Sequence, residues 1–282
     1  MKKISEILSE KQTISFEFFA PKDLSLQEQL LQSIKKNNLD DLSFMSVTYS
    51  VNKNSGPTDL IVEKISNETQ IPVMPHLTCI THSKNEIISI IKQYQEKSIN
   101  NILALRGDIP ENDHLNKKDF ENALELVQFL RNRTEFDIAV AAHPEGHPDG
   151  IDKESDFSYQ LQKIQASDFA ITQFFFDLNY YLDFMEKLSK QGNQKPVIAG
   201  LMPPTNADAL IKMAKLNGSH LPRSIIEKLS SLKGKKSKED FAKDIILKLV
   251  DSLISNGAPG IHIYSMNNVD LSKRILNEID IT

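Results

Sequence analysis

The chain has 282 residues, with 33 Lys plus Arg against 38 Asp plus Glu. The resulting formal net charge of -5 gives no pull toward nucleic acid or an anionic membrane surface. A hydrophobic share of 40% with 25% charged residues excludes an extended disordered chain, and one cysteine, Cys79, excludes a disulfide framework or a cysteine-rich metal centre.

The first ten residues carry acids where a signal peptide needs its apolar run, so a short surface helix is expected there. No apolar stretch approaches the roughly 20 residues that span a bilayer. A cytoplasmic protein without membrane or nucleic-acid partners is the expectation. Beyond the N-terminus, apolar β-rich runs recur at 13–19, 42–49, 73–80, 101–108, 136–143, 169–176, 196–202 and 260–266.

Amphipathic helical stretches lie between these runs. Leu26, Leu30, Leu31 and Ile34 form one apolar face, and 87–94, 123–130 and 181–188 repeat the pattern. Ser83 with Glu86 three residues later predicts a capping box before 87–94. The last and longest gap is expected to hold helices over 207–216, 224–229 and 238–254, with the basic stretch 233–240 as a solvated loop. Thr205 or Asn206 is placed to cap the first of these. Eight strands alternating with helices predict a single α/β domain over 1–282, a (β/α)8 TIM barrel. A doubly wound sheet is the rival, and neither a G-x-G-x-x-G nor a Walker A motif supports it.

In such a barrel the chemistry sits at the C-terminal ends of the strands. Glu17 lies between Phe16 and Phe18. If it faces inward, burial should raise its pKa and suit it to general acid catalysis; strand alternation could equally turn it outward. His76 and Thr78 sit on the third strand, where a lone histidine is often a packed residue. The fourth ends Arg106-Gly107-Asp108, with a guanidinium suited to phosphate or carboxylate and a glycine that permits close approach. His143, Glu145 and His147 follow the fifth strand; they could hold a metal in a hydrolase or lyase, although Pro144 and Pro148 exclude a helical zinc motif. Gln173, among Thr172 and Phe174 to Phe176, suits hydrogen bonding to a planar heterocycle.

Taken in order, these strings resemble the methylenetetrahydrofolate reductase family. The matches are Ser15-Phe-Glu-Phe-Phe-Ala-Pro-Lys22, Ser46-Val-Thr-Tyr49, Pro75-His-Leu-Thr-Cys79, Ile102-Leu-Ala-Leu-Arg-Gly-Asp108 and Phe136-Asp-Ile-Ala-Val-Ala-Ala142. Pro144-Glu145, His147-Pro148, Ala170-Ile-Thr-Gln-Phe-Phe-Phe-Asp177 and Ile261-His-Ile-Tyr264 continue the series. Each string alone is weak; the ordered set is specific and covers nearly the whole chain, in the manner of the short bacterial form.

The resemblance implies a flavoprotein that reduces 5,10-methylenetetrahydrofolate to 5-methyltetrahydrofolate in alternating half-reactions, with FAD as cofactor and NADH or NADPH as donor. It implies a homo-oligomer as well. Glu17 matches the family's acid and Asp108 the aspartate beside flavin and pterin. Thr48, Tyr49, His76, Arg106, Gly107, His143 and His147 match flavin positions, with Asp156 and Lys163 more loosely. Thr48, Gln173 and Asn267 are expected at the folate. Four positions depart from the pattern: His143 for a common Tyr, Tyr159 for an Asn, Ala209 for a Gln and Asn268 for an Arg that would meet the folate tail.

Overall fold

The structure is a computed structural model and describes residues 2–49, 57–108 and 119–280. The strands are β1 Thr13–Phe18, β2 Phe44–Val47, β3 Val73–Thr78, β4 Asn101–Leu105, β5 Asp137–Ala142, β6 Phe169–Thr172, β7 Val197–Leu201 and β8 Gly260–Tyr264. Each pairs in parallel with the next, and β8 returns to β1, closing the barrel in chain order. The helices are α1 Ile4–Glu10, α2 Leu24–Lys36, α3 Pro57–Glu68, α4 Lys84–Glu96, α5 Ala123–Arg131, α6 Lys153–Ala166, α7 Leu178–Lys190, α8 Ala207–Asn217, α9 Arg223–Ser231, α10 Lys235–Ser255 and α11 Val269–Leu276. The (β/α)8 barrel read from the alternation is the observed fold. The predicted capping box is present at α4, where Ser83 N donates to Glu86 and Glu86 N to Ser83.

Strand alternation sorts the side chains into two shells. On β1, Ile14, Phe16 and Phe18 face the helices and pack in one cluster with Leu30, Leu31 and Ile34 of α2. The alternate residues Thr13, Ser15 and Glu17 are buried too, and they carry the polar groups. Barrel closure requires this: a strand covered on both faces has no solvent side for its polar residues.

Two expectations need correction. The N-terminal segment is the expected short helix, but one face of it is buried in the barrel end and does not lie free on the surface. Ile4 of α1 is fully buried among Phe44, Met74, Leu103, Ala139, Phe169, Ile171 and Ile198. Its leading amides are received by side chains of the barrel: Ile4 N donates to Asn101 Oδ1 at 2.9 Å, and Ser5 N and Oγ donate to Asp137 at 2.6 and 2.7 Å. The acids that suggested exposure, Glu6 and Glu10, lie on the other side of a single turn or two of helix. The stretch 233–240 is likewise mostly helix, since α10 begins at Lys235. Its lysines sit four residues before acids, Lys235 with Glu239 and Lys236 with Asp240, a spacing that favours helix over loop.

Candidate active site

At the C-terminal end of the barrel, β1 turns Glu17 inward. Register places it beside Ser46 of β2 and Tyr264 of β8, and Ser15 beside His262. Glu17 Oε2 is 3.3 Å from Nε2 of His76 and 3.7 Å from Nε2 of His262. His262 is fully buried; its Nδ1 is 2.7 Å from Ser15 Oγ and its Nε2 3.2 Å from Ser46 Oγ. The backbone carbonyl of Glu17 receives both the amide and the hydroxyl of Ser265, which fixes the residue along the β1–β8 seam.

The expected raised pKa of Glu17 is not found in this state. Burial pushes it upward, but the charge of His76 and hydrogen bonding to His262 and His76 outweigh burial and bring it to about 2. The sequence shows the aromatic neighbours Phe16 and Phe18, which point away from Glu17. It does not show the two imidazoles brought in by β3 and β8. Burial in turn lowers the pKa of His262, which is neutral at pH 7.

Glu17 adjoins a cleft of about 790 Å³, within the size of small-molecule sites. Thr48, Tyr49, His76, Arg106, Gly107, Asp108, His143, His147, Asp156, Lys163 and Gln173 all line it. Asn267 is set apart: its side chain accepts from Phe19 N at 2.8 Å and donates to Phe19 O at 3.1 Å, spending the amide on the backbone just after β1. Asn268 also faces away. It caps α11 by accepting from Leu271 N and donates to Glu239 of α10 at 3.0 Å. Ala209 is exposed on α8, where its amide donates to the capping Asn206.

Cationic groups gather on one wall of the cleft. Lys163 is buried, and burial lowers its pKa to about 8 against the attraction of Asp156, with Arg106 lowering it further. Arg106 pairs with Asp149 at 3.0 Å, so its guanidinium is held at the rim. Asp156 is itself held, accepting from His147 N at 3.1 Å and Gln160 Nε2 at 2.9 Å. Tyr49 lies against His82, its hydroxyl 2.8 Å from Nε2. Gln173 Oε1 accepts from Asn217 Nδ2 at 3.3 Å.

Thr78 Oγ1 and His143 Nδ1 are buried polar atoms of the cleft without a hydrogen-bond partner among the described residues, each costly unless a ligand meets it. Gly107 has φ +83, and a Cβ there would come within 2.8 Å of Thr78 Cβ. Arg106 and Lys163 supply charge of the sign a pyrophosphate needs. FAD fits these residues.

His143, Glu145 and His147 do not converge as a metal site. The two imidazoles lie near each other, ring centroids 4.6 Å apart. Glu145 instead turns toward the connection between α8 and α9 and accepts from His220 N at 2.7 Å, and His147 Nδ1 accepts from Asp149 N. Burial holds His143 at a pKa of about 3 and, with it, the charge of Lys163 keeps the ring neutral. Among the described residues no group of three or more His, Cys, Asp or Glu side chains could hold a metal ion. No described helix is long and apolar enough to cross a membrane.

Ser15, Ser46, His262 and Tyr264 were not among the sequence-derived candidates. Their signal was present as alternation: Thr13, Ser15 and Glu17 form one polar face of β1, and His262 and Tyr264 one face of β8.

The methylenetetrahydrofolate reductase family model matches residues 1–280. The 5,10-methylenetetrahydrofolate reductase of Buchnera aphidicola subsp. Schizaphis graminum is 35% identical over 96% of this chain and 93% of that protein. The protein of that name from Escherichia coli K12 is 31% identical over 95% of this chain and 90% of its own. A Clostridium thermocellum protein that binds two copies of 5-methyl-5,6,7,8-tetrahydrofolic acid shares the fold, with a TM-score of 0.66 at 14% identity, covering 98% of this chain and all of that one.

Proposed function

The chain belongs to the methylenetetrahydrofolate reductase family, a family of oxidoreductases, and on that premise we propose that it reduces 5,10-methylenetetrahydrofolate to 5-methyltetrahydrofolate with FAD as cofactor and NADH or NADPH as donor. The observation that carries this reading is the placement of Glu17 beside a cleft with two cationic side chains and two unpartnered buried polar atoms, Thr78 Oγ1 and His143 Nδ1. When bound, FAD would supply hydride-transfer chemistry between the nicotinamide and the folate. The remaining chemistry belongs to the protein.

Lys163 and Arg106 would hold the phosphates of the cofactor, and Gly107 would let the backbone approach it without a side chain between. Gln173, oriented by Asn217, offers its free amide hydrogens to the heterocycle that occupies the cleft. Opening the folate's five-membered ring needs a proton on a ring nitrogen, and Glu17 is the acid that delivers it. The ionised Glu17 described above is the form left after delivery. Glu17 is already buried, so what a bound folate must change to restore the acid is the balance with His76 and His262 that holds the carboxylate ionised. Asp108, exposed at the rim, provides negative charge near the cationic iminium formed on ring opening. His76 keeps the Glu17 oxygen in place on the cleft side.

Spectroscopy tests the reading. The purified protein should show flavin absorption, bleach anaerobically with NADH or NADPH, and recover its colour on addition of 5,10-methylenetetrahydrofolate. A colourless protein that neither takes up FAD nor responds to the folate would contradict it.

A further inference from the structure

The folate chemistry assigned to Glu17 leaves one buried titratable neighbour without a task. His262 is sealed inside the barrel, with Phe44 stacked on its ring and Tyr264 edge-on. Neutral imidazole carries one ring proton, and which nitrogen bears it depends on its partners. Both nitrogens of His262 meet hydroxyls, Nδ1 at Ser15 and Nε2 at Ser46. A hydroxyl donates or accepts as required, so both tautomers are satisfied here.

The two tautomers present opposite faces to the acid. With the proton on Nε2, an N–H lies on the side of Ser46 and of Glu17 Oε2, 3.7 Å away, and favours the carboxylate. With the proton on Nδ1, Ser15 Oγ accepts it and turns its own hydrogen to the carbonyl of Ile261, 3.3 Å away. The Nε2 lone pair then faces Glu17 across 3.7 Å and favours the uncharged carboxyl over the carboxylate. We infer that His262 is a positioning residue whose tautomer sets the protonation state of Glu17, and that Ser15 is the hydroxyl that makes the acid-favouring tautomer available.

The inference rests on Glu17 being the acid of the folate half-reaction. His262 holds one proton in either tautomer, so the extra proton resides on Glu17 and leaves with the substrate nitrogen. Two further titratable groups face this pair: His76 from β3, 3.3 Å from Glu17, and Tyr264 from β8, whose hydroxyl donates to the carbonyl of Thr172. Neither touches Ser15 in the contacts described, so a change at Ser15 reads the coupling through His262.

Ser15→Ala removes the acceptor for Nδ1–H and leaves that donor buried and unpaired, which selects the Nε2–H tautomer. Nitrogen-15 NMR of the holoenzyme, with the His262 signals assigned by their loss in His262→Gln, reads the tautomer directly. The expected result is a shift of the Ser15→Ala ring to Nε2–H and a lower pH midpoint for reoxidation of the reduced enzyme by the folate. A midpoint lower by about one pH unit would slow that step about tenfold at pH values above it. Ser15→Thr, which keeps a hydroxyl, should restore both readings. Ser15→Cys, with a poorer acceptor of similar size, serves if Ser15→Ala does not fold. A tautomer and midpoint unchanged in both variants would overturn the inference, as would a slower rate at an unshifted midpoint. Because the NMR reading needs no folate turnover, that failure is distinct from failure of the proposed reaction, which a folate step indifferent to Glu17→Gln would reveal.

Discussion

Glu17 Oε2 and His76 Nε2 stand 3.3 Å apart, both residues buried, joined from strands β1 and β3 that are not neighbours in the sheet. Closing the barrel brings them together. The pair has a pH consequence for folding. Glu17 is held near 2 in the folded protein against 4.5 for the free group, so the unfolded chain binds the proton more readily in that window. The stabilisation is fully present above about pH 4.5 and is lost as the pH falls toward 2. Glu17→Gln should therefore flatten the acid limb of the stability profile, measured by urea unfolding from pH 5 to 3. An unchanged limb would mean that the pair adds nothing to folding.

Lys163 gives two pH effects of opposite sign. Its folded pKa of about 8 lies below the usual 10.5, so between these values the unfolded chain is the more protonated form. The cofactor-free protein should gain stability from this group as pH rises through that window. FAD affinity should fall over the same range as the lysine loses the charge that meets a phosphate. Lys163→Met should weaken FAD binding about ten- to hundredfold, the usual worth of a charged hydrogen bond, and remove the pH dependence of binding. Fluorescence titration with FAD at pH 7 and 9.5 checks both.

Gly107→Ala places a methyl group 2.8 Å from Thr78 Cβ on a backbone with φ +83. The strain is worth about 1–2 kcal/mol, and relieving it moves the Arg106–Asp108 loop at the cleft. Loss of FAD affinity should exceed the loss of thermal stability, seen by comparing FAD titration with calorimetry. Stability loss with normal FAD binding would place the glycine's importance in folding alone.

Ile4→Ala should cost about 2–4 kcal/mol in urea unfolding, because Ile4 plugs the end of the barrel opposite the cleft. FAD affinity should stay within about twofold, since no residue of α1 lines the cleft. A cost below about 1 kcal/mol would return α1 to the surface role that its sequence suggested.

Asn268→Arg separates sequence from structure most simply. An arginine at this position was expected to meet the folate tail, so its introduction would tighten folate binding. The observed Asn268 caps α11 and bonds to Glu239, away from the cleft. The expected outcome is a loss of about 1 kcal/mol in stability from the missing cap, with an unchanged KM for the folate. A several-fold lower KM would show that the new side chain reaches the tail.

The barrel was legible because each strand announces itself by a short apolar run and each helix by an apolar stripe. The short N-terminal helix was legible but its buried face was not, because that burial depends on Asn101 and Asp137, 97 and 132 residues distant, which no local pattern reports. The cleft residues from Thr48 to Gln173 were legible through ordered motifs at strand ends. The electrostatic state of Glu17 was not, because it depends on His76 and His262 meeting across the barrel. For Asn267 and Asn268 a motif gives the residue type and leaves open the side chain's partner, and in the structure both amides bond to the protein itself.

Single-turnover kinetics of Glu17→Gln test the central claim most directly. Flavin absorbance would be followed separately during reduction by NADH or NADPH and during reoxidation by 5,10-methylenetetrahydrofolate. Loss of the acid should slow reoxidation about 10²- to 10⁴-fold and leave reduction by the nicotinamide within about twofold of the wild type. Equal slowing of both steps, or reoxidation at the wild-type rate, would contradict the assignment of Glu17 as the acid that opens the folate ring.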